Sequence, residues 1–187
     1  MNLILGIDPG LTRCGVGLVR VDSRRKCELV HVEVIKTLPS QELTDRIGAL
    51  GKRLDEVIRE FEPDVIALER VFAQANLRTV MGTAQISGVV LHLASQHGLR
   101  VALHTPTEVK AAVSGSGRAD KKQVGTMVAK ILGLAEIPKP ADAADALAIA
   151  ITQGWRGLGA DSSSSNQTPA QKAWAAAERA SKEKSKR

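Results

Sequence analysis

Tyrosine is absent from this chain, and phenylalanine and tryptophan occur twice each. Its core must therefore be aliphatic, and an aromatic side chain near a binding site stands out. Cysteine is equally scarce. Cys14 and Cys27 show no C-x-x-C spacing and no histidine pair beside them. That argues against a zinc site or a disulfide framework, and both are expected as reduced, partly buried thiols. The four histidines, His31, His92, His97 and His104, form no ligand spacing either and are read as structural or exposed. No apolar run approaches the roughly 18 residues of a membrane span, and the N-terminus lacks a signal-peptide pattern. The expectation is a cytoplasmic protein without a membrane partner.

What is present suits one soluble domain with a tail. Of 187 residues, 43% are hydrophobic and 25% charged, enough for a single sizeable core. The net charge is +6 and the pI about 9.6, a balance that favours a polyanionic partner. Beyond residue 156, six basic residues face three acidic ones, so about half of the excess belongs to the body. Gly, Ser, Asn and Gln dominate from Gly157 to Pro169, and a basic, Ala-rich segment follows. We expect a folded body over residues 1–156 and a flexible basic tail over 157–187. The tail either adds nonspecific affinity for such a polyanionic partner or serves as solubilising disorder.

The stretch NLILGIDPGLTRCGVG at residues 2–17 reads as an apolar strand, a turn at Asp8-Pro9-Gly10 with Gly at positive φ, and a returning strand. Residues 14–21 and 28–36 continue as strands joined by a basic turn. Leu43, Ile47, Leu50, Leu54, Val57, Ile58 and Phe61 form one helical stripe that Pro63 ends. DVIALE at 64–69 reads as a central strand covered on both faces, with Glu69 at its C-terminal end, where open α/β sheets gather functional groups. A helix at 76–97 carries Gly82, Ala84, Ser87 and Gly88, small residues that invite close packing. A strand at 100–103, a helix at 106–113, an Asp120-capped helix and a last helix from 141 to about 153 complete the body. The order gives an α/β fold with a mixed five-stranded sheet, three antiparallel strands and then parallel ones, flanked by helices.

The chemistry lies in four carboxylates. Asp8 and Glu69 end apolar strands, while Asp142 and Asp145 stand three apart on a helix whose neighbours are Ala, Leu and Ile. Asp8 could merely open a hairpin, and Asp142 could serve the helix dipole; neither accounts for Asp145. Oxygen ligands without His or Cys suit Mg²⁺ or Mn²⁺. Two such ions about 3.5–4 Å apart can activate water and stabilise a leaving oxygen in phosphodiester cleavage.

GIDPG at 6–10, IALERVF at 66–72 and DAADALAIAIT at 142–152 resemble, in order and spacing, the signature blocks of the RuvC family of Holliday-junction resolvases across nearly all of residues 1–155. The resemblance implies a ribonuclease-H-like fold and a homodimer. It further implies symmetric nicking of two like-polarity strands of a four-way DNA junction, with Mg²⁺ as cofactor, Mn²⁺ as substitute, and two ions per site. By position it makes Asp8, Glu69, Asp142 and Asp145 the catalytic, metal-binding acids, although some members carry His in place of Asp142. Phe72 matches an aromatic that stacks near the junction centre, with core packing as its other reading. Lys110 and Lys121 match basic residues used on DNA, while Arg118 and Lys122 are DNA contacts or solvated charge. The 76–97 helix would form much of the dimer interface, and the RuvA–RuvB branch-migration complex is the implied partner.

Three rivals share parts of this pattern. A related nuclease could act on RNA or hybrids. G-I-D-x-G followed by Thr12 and Gly15 also resembles the phosphate hairpin of actin-like ATPases, but those need two such domains. A noncatalytic junction-binding protein would leave the four acids unexplained.

Overall fold

The structure is a computed structural model that describes residues 1–70 and 77–157. In chain order it contains β1 (Asn2–Asp8), β2 (Arg13–Val21), β3 (Cys27–Lys36), α1 (Leu43–Phe61), β4 (Val65–Glu69), α2 (Leu77–Gln96), β5 (Arg100–His104), α3 (Pro106–Ser114), α4 (Lys121–Leu132) and α5 (Ala141–Arg156). The five strands form one sheet in the order β3-β2-β1-β4-β5. β1 pairs antiparallel with β2, and β2 with β3; β1 with β4 and β4 with β5 are parallel. This is the expected mixed sheet. The tail over 157–187 lies outside the described residues apart from Gly157, and so does Phe72.

The period-two alternation of strands sorts side chains onto two faces. Leu5, Ile7, Val16, Leu18, Ile66 and Leu68 turn to one face, where they pack with Leu50, Leu54 and Val57 of α1 and Ile86 and Val90 of α2. Ile4, Val19, Val65 and Ala67 turn to the other, with Val124 and Val128 of α4 and Leu147, Ile149 and Ile151 of α5. Each fully buried aliphatic side chain stabilises the fold by roughly 1.5–3 kcal/mol.

α5 lies against β1 and β2 with glycine between. Gly6 and Gly17 are register partners, and Gly15 pairs with Asp8. A Cβ at Gly15 would collide with the Asp142 carbonyl oxygen, and one at Gly6 with the Ala146 carbonyl oxygen. At Gly17 it would stand 2.9 Å from Leu147 Cδ2. The helix answers with alanines at 143, 144, 146, 148 and 150, all buried. Glycine in a strand costs about 0.5–1 kcal/mol; here it lets helix backbone rest on strand backbone.

Two expectations change in detail. α5 continues to Arg156 because Thr152 and Gln153, polar and buried, are satisfied within the fold. The Thr152 hydroxyl donates to the Ala148 carbonyl at 2.8 Å, and Gln153 Oε1 lies 3.0 Å from His104 Nε2. Gly10 is not among the positive-φ glycines. It is required instead because the Arg13 carbonyl oxygen passes where its Cβ would be. Of the small residues in α2, Gly82 packs inside the chain, 3.1 Å from Leu11 Cβ for a Cβ placed there, and Ser87 is buried. Ala84 and Gly88 are exposed. Cys14 and Cys27, expected as partly buried thiols, are both buried.

Replacing Gly15 with alanine forces α5 off the sheet. Gly15→Ala is expected to lose about 1–3 kcal/mol or more of unfolding free energy, read as a lower urea midpoint. An unchanged midpoint contradicts the backbone contact.

Candidate active site

The register sets the site. Ile7 pairs with Leu68, so Asp8 and Glu69 are the next residues on adjacent parallel strands. Asp8 has the parity of Ile4 and Gly6, and Glu69 that of Val65 and Ala67, so both face α5. The glycines beneath α5 bring its first turn down onto the same ends, placing Asp142 and Asp145 beside them. Asp8, Glu69 and Asp145 line a cavity of about 240 Å³ together with Lys110 of α3 and Lys121 of α4. Pro106, Val109 and Val124 give it apolar walls. Asp142 does not line it; its Oδ2 meets Arg13 Nε at 3.1 Å.

Local sequence holds the basic side of the cavity. α3 begins with Pro106 behind a capping box in which Thr105 accepts from the Glu108 backbone and Glu108 accepts from that of Thr105. α4 begins with the same device between Asp120 and Gln123, which confirms the Asp120 cap. Lys121 is the first residue after that cap, and its Nζ donates to Asp145 Oδ2 at 3.0 Å.

Crowding governs the electrostatics. Burial pushes the Asp8 carboxyl up from 3.8 to about 7, and Glu69, Asp145 and Asp142 push in the same direction against Lys121. Burial also raises Glu69, helped by Asp145 and opposed by Lys121 and Lys110. Lys121 is held above its ordinary value, first by its hydrogen bond to Asp145. Cys14, raised to about 12 mainly by burial, is no nucleophile. Among the described residues, no three acidic, histidine or cysteine side chains stand close enough to form a ready metal shell. Asp142 and Asp145 each face a cation of the chain instead. The donor chemistry nonetheless fits a hard divalent ion: every candidate donor is a carboxylate oxygen, and Asp8 is destabilised by neighbours that such an ion would neutralise.

The other expected residues divide. Arg118 and Lys122 lie apart from this cavity, lining a neighbouring one of about 660 Å³ with Ser114, Ser116 and Gln123. His104 is buried and structural. It sits beside Glu69 in the β4–β5 register, bonded at Nε2 to Gln153 and 3.3 Å at Nδ1 from Arg156 Nη1. Burial lowers its pKa. His97 bonds Asp55 at 2.6 Å, and His31 stacks on Phe61. Arg13 was not anticipated by the motifs. Its signal was parity, since it shares the face of Gly15 and therefore that of Asp8.

This fold places the chain among the ribonuclease-H-like nucleases. The family model described as crossover junction endodeoxyribonuclease RuvC matches residues 4–153. A crossover junction endodeoxyribonuclease RuvC of Clavibacter michiganensis subsp. michiganensis is 56% identical over 195 residues, covering 95% of this chain and 96% of that protein. One of Saccharopolyspora erythraea is 59% identical over 153 residues, 82% of this chain and 77% of that protein. The T. thermophilus RuvC solved in complex with a Holliday junction substrate superposes with a TM-score of 0.77 at 39% identity, covering 81% of this chain and 92% of that one. The chain belongs to the RuvC family of crossover junction endodeoxyribonucleases, metal-dependent hydrolases of phosphodiester bonds.

The Asp8 shift has a signed consequence. Its folded pKa of about 7 lies above the ordinary 3.8, so the folded chain holds the proton more tightly. The associated stability is full below about pH 4 and is lost as pH rises through about 7. Metal-free Asp8→Asn should therefore exceed wild type in stability near pH 8 by up to about 4 kcal/mol, with the gap closing toward about pH 4. Urea unfolding across that range measures it; a gap independent of pH contradicts the crowding.

Proposed function

We propose that this chain resolves four-way DNA junctions by nicking two strands of like polarity, with Asp8, Glu69, Asp142 and Asp145 as its metal-binding acids. The observation that carries this reading is the convergence on Asp8, whose carboxyl burial first, and then Glu69, Asp145 and Asp142, push up to about 7. Two Mg²⁺ ions, or Mn²⁺ in their place, would supply Lewis-acid activation of water and charge for the leaving oxygen. Asp8, with Asp142 and Asp145, would hold the metal at the ends of the strands. Glu69, held by the strand end, orients the attacking water. Lys121 and Lys110 carry positive charge beside the acids, suited to non-bridging phosphate oxygens. Apolar walls at Val109 and Val124 strengthen each of these interactions by excluding water. Arg118 and Lys122, in the neighbouring cavity, extend the contact along the same DNA strand, and Phe72 is assigned to the junction centre by family position alone.

The reading includes a homodimer. The outer face of α2 presents Met81, Ala84, Gly88, Leu91 and Ser95, spaced three or four apart, exposed and without charge. Such a face suits a second copy crossing closely at the small residues, and a two-fold dimer would present two sites to a two-fold junction. It also retains the division into a nuclease body over 1–156 and a tail over 157–187, and cooperation with RuvA–RuvB, which is tested by whether that complex stimulates cleavage.

An end-labelled four-way junction tests the central reading. Wild type with Mg²⁺ should give paired symmetric nicks and spare linear duplex. Glu69→Gln should cut at least about 10²-fold more slowly while still binding, and chelation should abolish cutting. Duplex cut as fast as junction contradicts junction resolution, and sedimentation as a monomer at micromolar concentration contradicts the dimer.

A further inference from the structure

The cleavage site has cations on two sides, of which the motifs reveal one. Lys110 and Lys121 flank it from α3 and α4. On the other side, Arg13 of β2 and Lys36 of β3 are direct register partners in an antiparallel pair, so they share a face of the sheet. That face is the one toward α5, since Arg13 alternates with Gly15, whose Cβ position abuts Asp142. The Arg13–Lys36 pair stands two residues, roughly 7 Å, beyond the pair of Asp8 with Gly15.

Like charges placed opposite each other destabilise a sheet. Here they are neutralised only in part. Lys36 is exposed and has no carboxylate partner among the described residues. Arg13, 60% exposed, makes its closest approach to Asp142 at Nε, 3.1 Å from Oδ2, with much of the guanidinium open to solvent. Of the two acids of β3, Glu33 lies on the opposite face, bound by Arg53 at 3.0 Å, and Glu28 stands near the far end of the strand beside Arg20.

The ledge is also rigid. The Thr37 backbone donates to the Thr12 carbonyl at 3.1 Å, and the Thr37 hydroxyl to the Leu11 carbonyl at 2.6 Å. Arg46 donates to both threonine hydroxyls, each at 2.9 Å. The residues beside Arg13 and Lys36 are thereby tied to one another and to α1.

We propose that Arg13 and Lys36 form a second phosphate-binding ledge, which holds the backbone of the cleaved strand on the β2–β3 side of the carboxylates. Asp142 anchors Arg13, and the exposed edge of the guanidinium meets phosphate oxygens in the paired geometry arginine favours. The inference rests on the junction-cleaving function proposed above.

The test is the salt dependence of binding to a labelled four-way junction by the full chain, in chelator so that nothing is cut. Each phosphate contact contributes about 0.9 to the slope of log affinity against log salt. Arg13→Gln and Lys36→Gln should each flatten the slope by about 1, and the double variant by about 2. Arg13→Lys combined with Lys36→Arg should keep the wild-type slope. The double variant Arg24→Gln with Lys26→Gln removes the same charge at the far end of β2, roughly 30 Å away, and should leave the slope unchanged. Lys36→Gln touches no acid of the site, so its effect cannot arise from a disturbed Asp142. A wild-type slope in the Arg13→Gln, Lys36→Gln double variant overturns the ledge and leaves the parent function standing. A wild type with no preference for junction over duplex overturns both.

Discussion

Backbone resting on backbone, where α5 crosses the glycines of β1 and β2, is the contact on which the site depends. A side chain at Gly6, Gly15 or Gly17 would lift the helix by the width of a methyl group or more. Asp142 and Asp145 would then rise from the strand ends that carry Asp8 and Glu69. The alanines of α5 are the matching half of the contact, and the apolar residues beyond them anchor it. Structure and chemistry thus meet in one layer: the packing that supplies part of the core also sets the spacing of the acids.

That spacing is electrostatically costly. Three carboxylates raise a fourth that burial has already destabilised, and the chain offsets the charge with Lys121 on Asp145 and Arg13 on Asp142. Such a site is poised between two ways of being neutralised, by its own cations or by divalent ions. On the proposed reading, divalent ions at the carboxylates would leave Lys121 and Arg13 available to a phosphodiester. Negative substrate, positive rim and acidic centre are then parts of one balance.

Much of this was legible in the sequence. Asp8, Glu69 and the Asp142–Asp145 pair stood out because each interrupts an apolar context, and strand ends are where sheets place such groups. The five strands and their division into antiparallel and then parallel followed from alternation, helical stripes and proline stops. Other features were hidden because they depend on register. Nothing in the order of residues shows that Arg13 faces Lys36, or that His104 lies beside Glu69 and is satisfied by Gln153 and Arg156. The role of Gly10 was misread for a similar reason. Its Cβ position is taken by the carbonyl of a residue three places on, a constraint invisible until the turn is built.

The most direct measurement is a carbon-13 NMR titration of the Asp8 carboxyl in the full, metal-free chain. An inflection near 7 that falls in Glu69→Gln and in Asp145→Asn, and falls further when Mg²⁺ is added, is what a single crowded, cation-seeking cluster predicts. An inflection near the ordinary 3.8, unmoved by either substitution or by the ion, would mean that the four acids do not form one site.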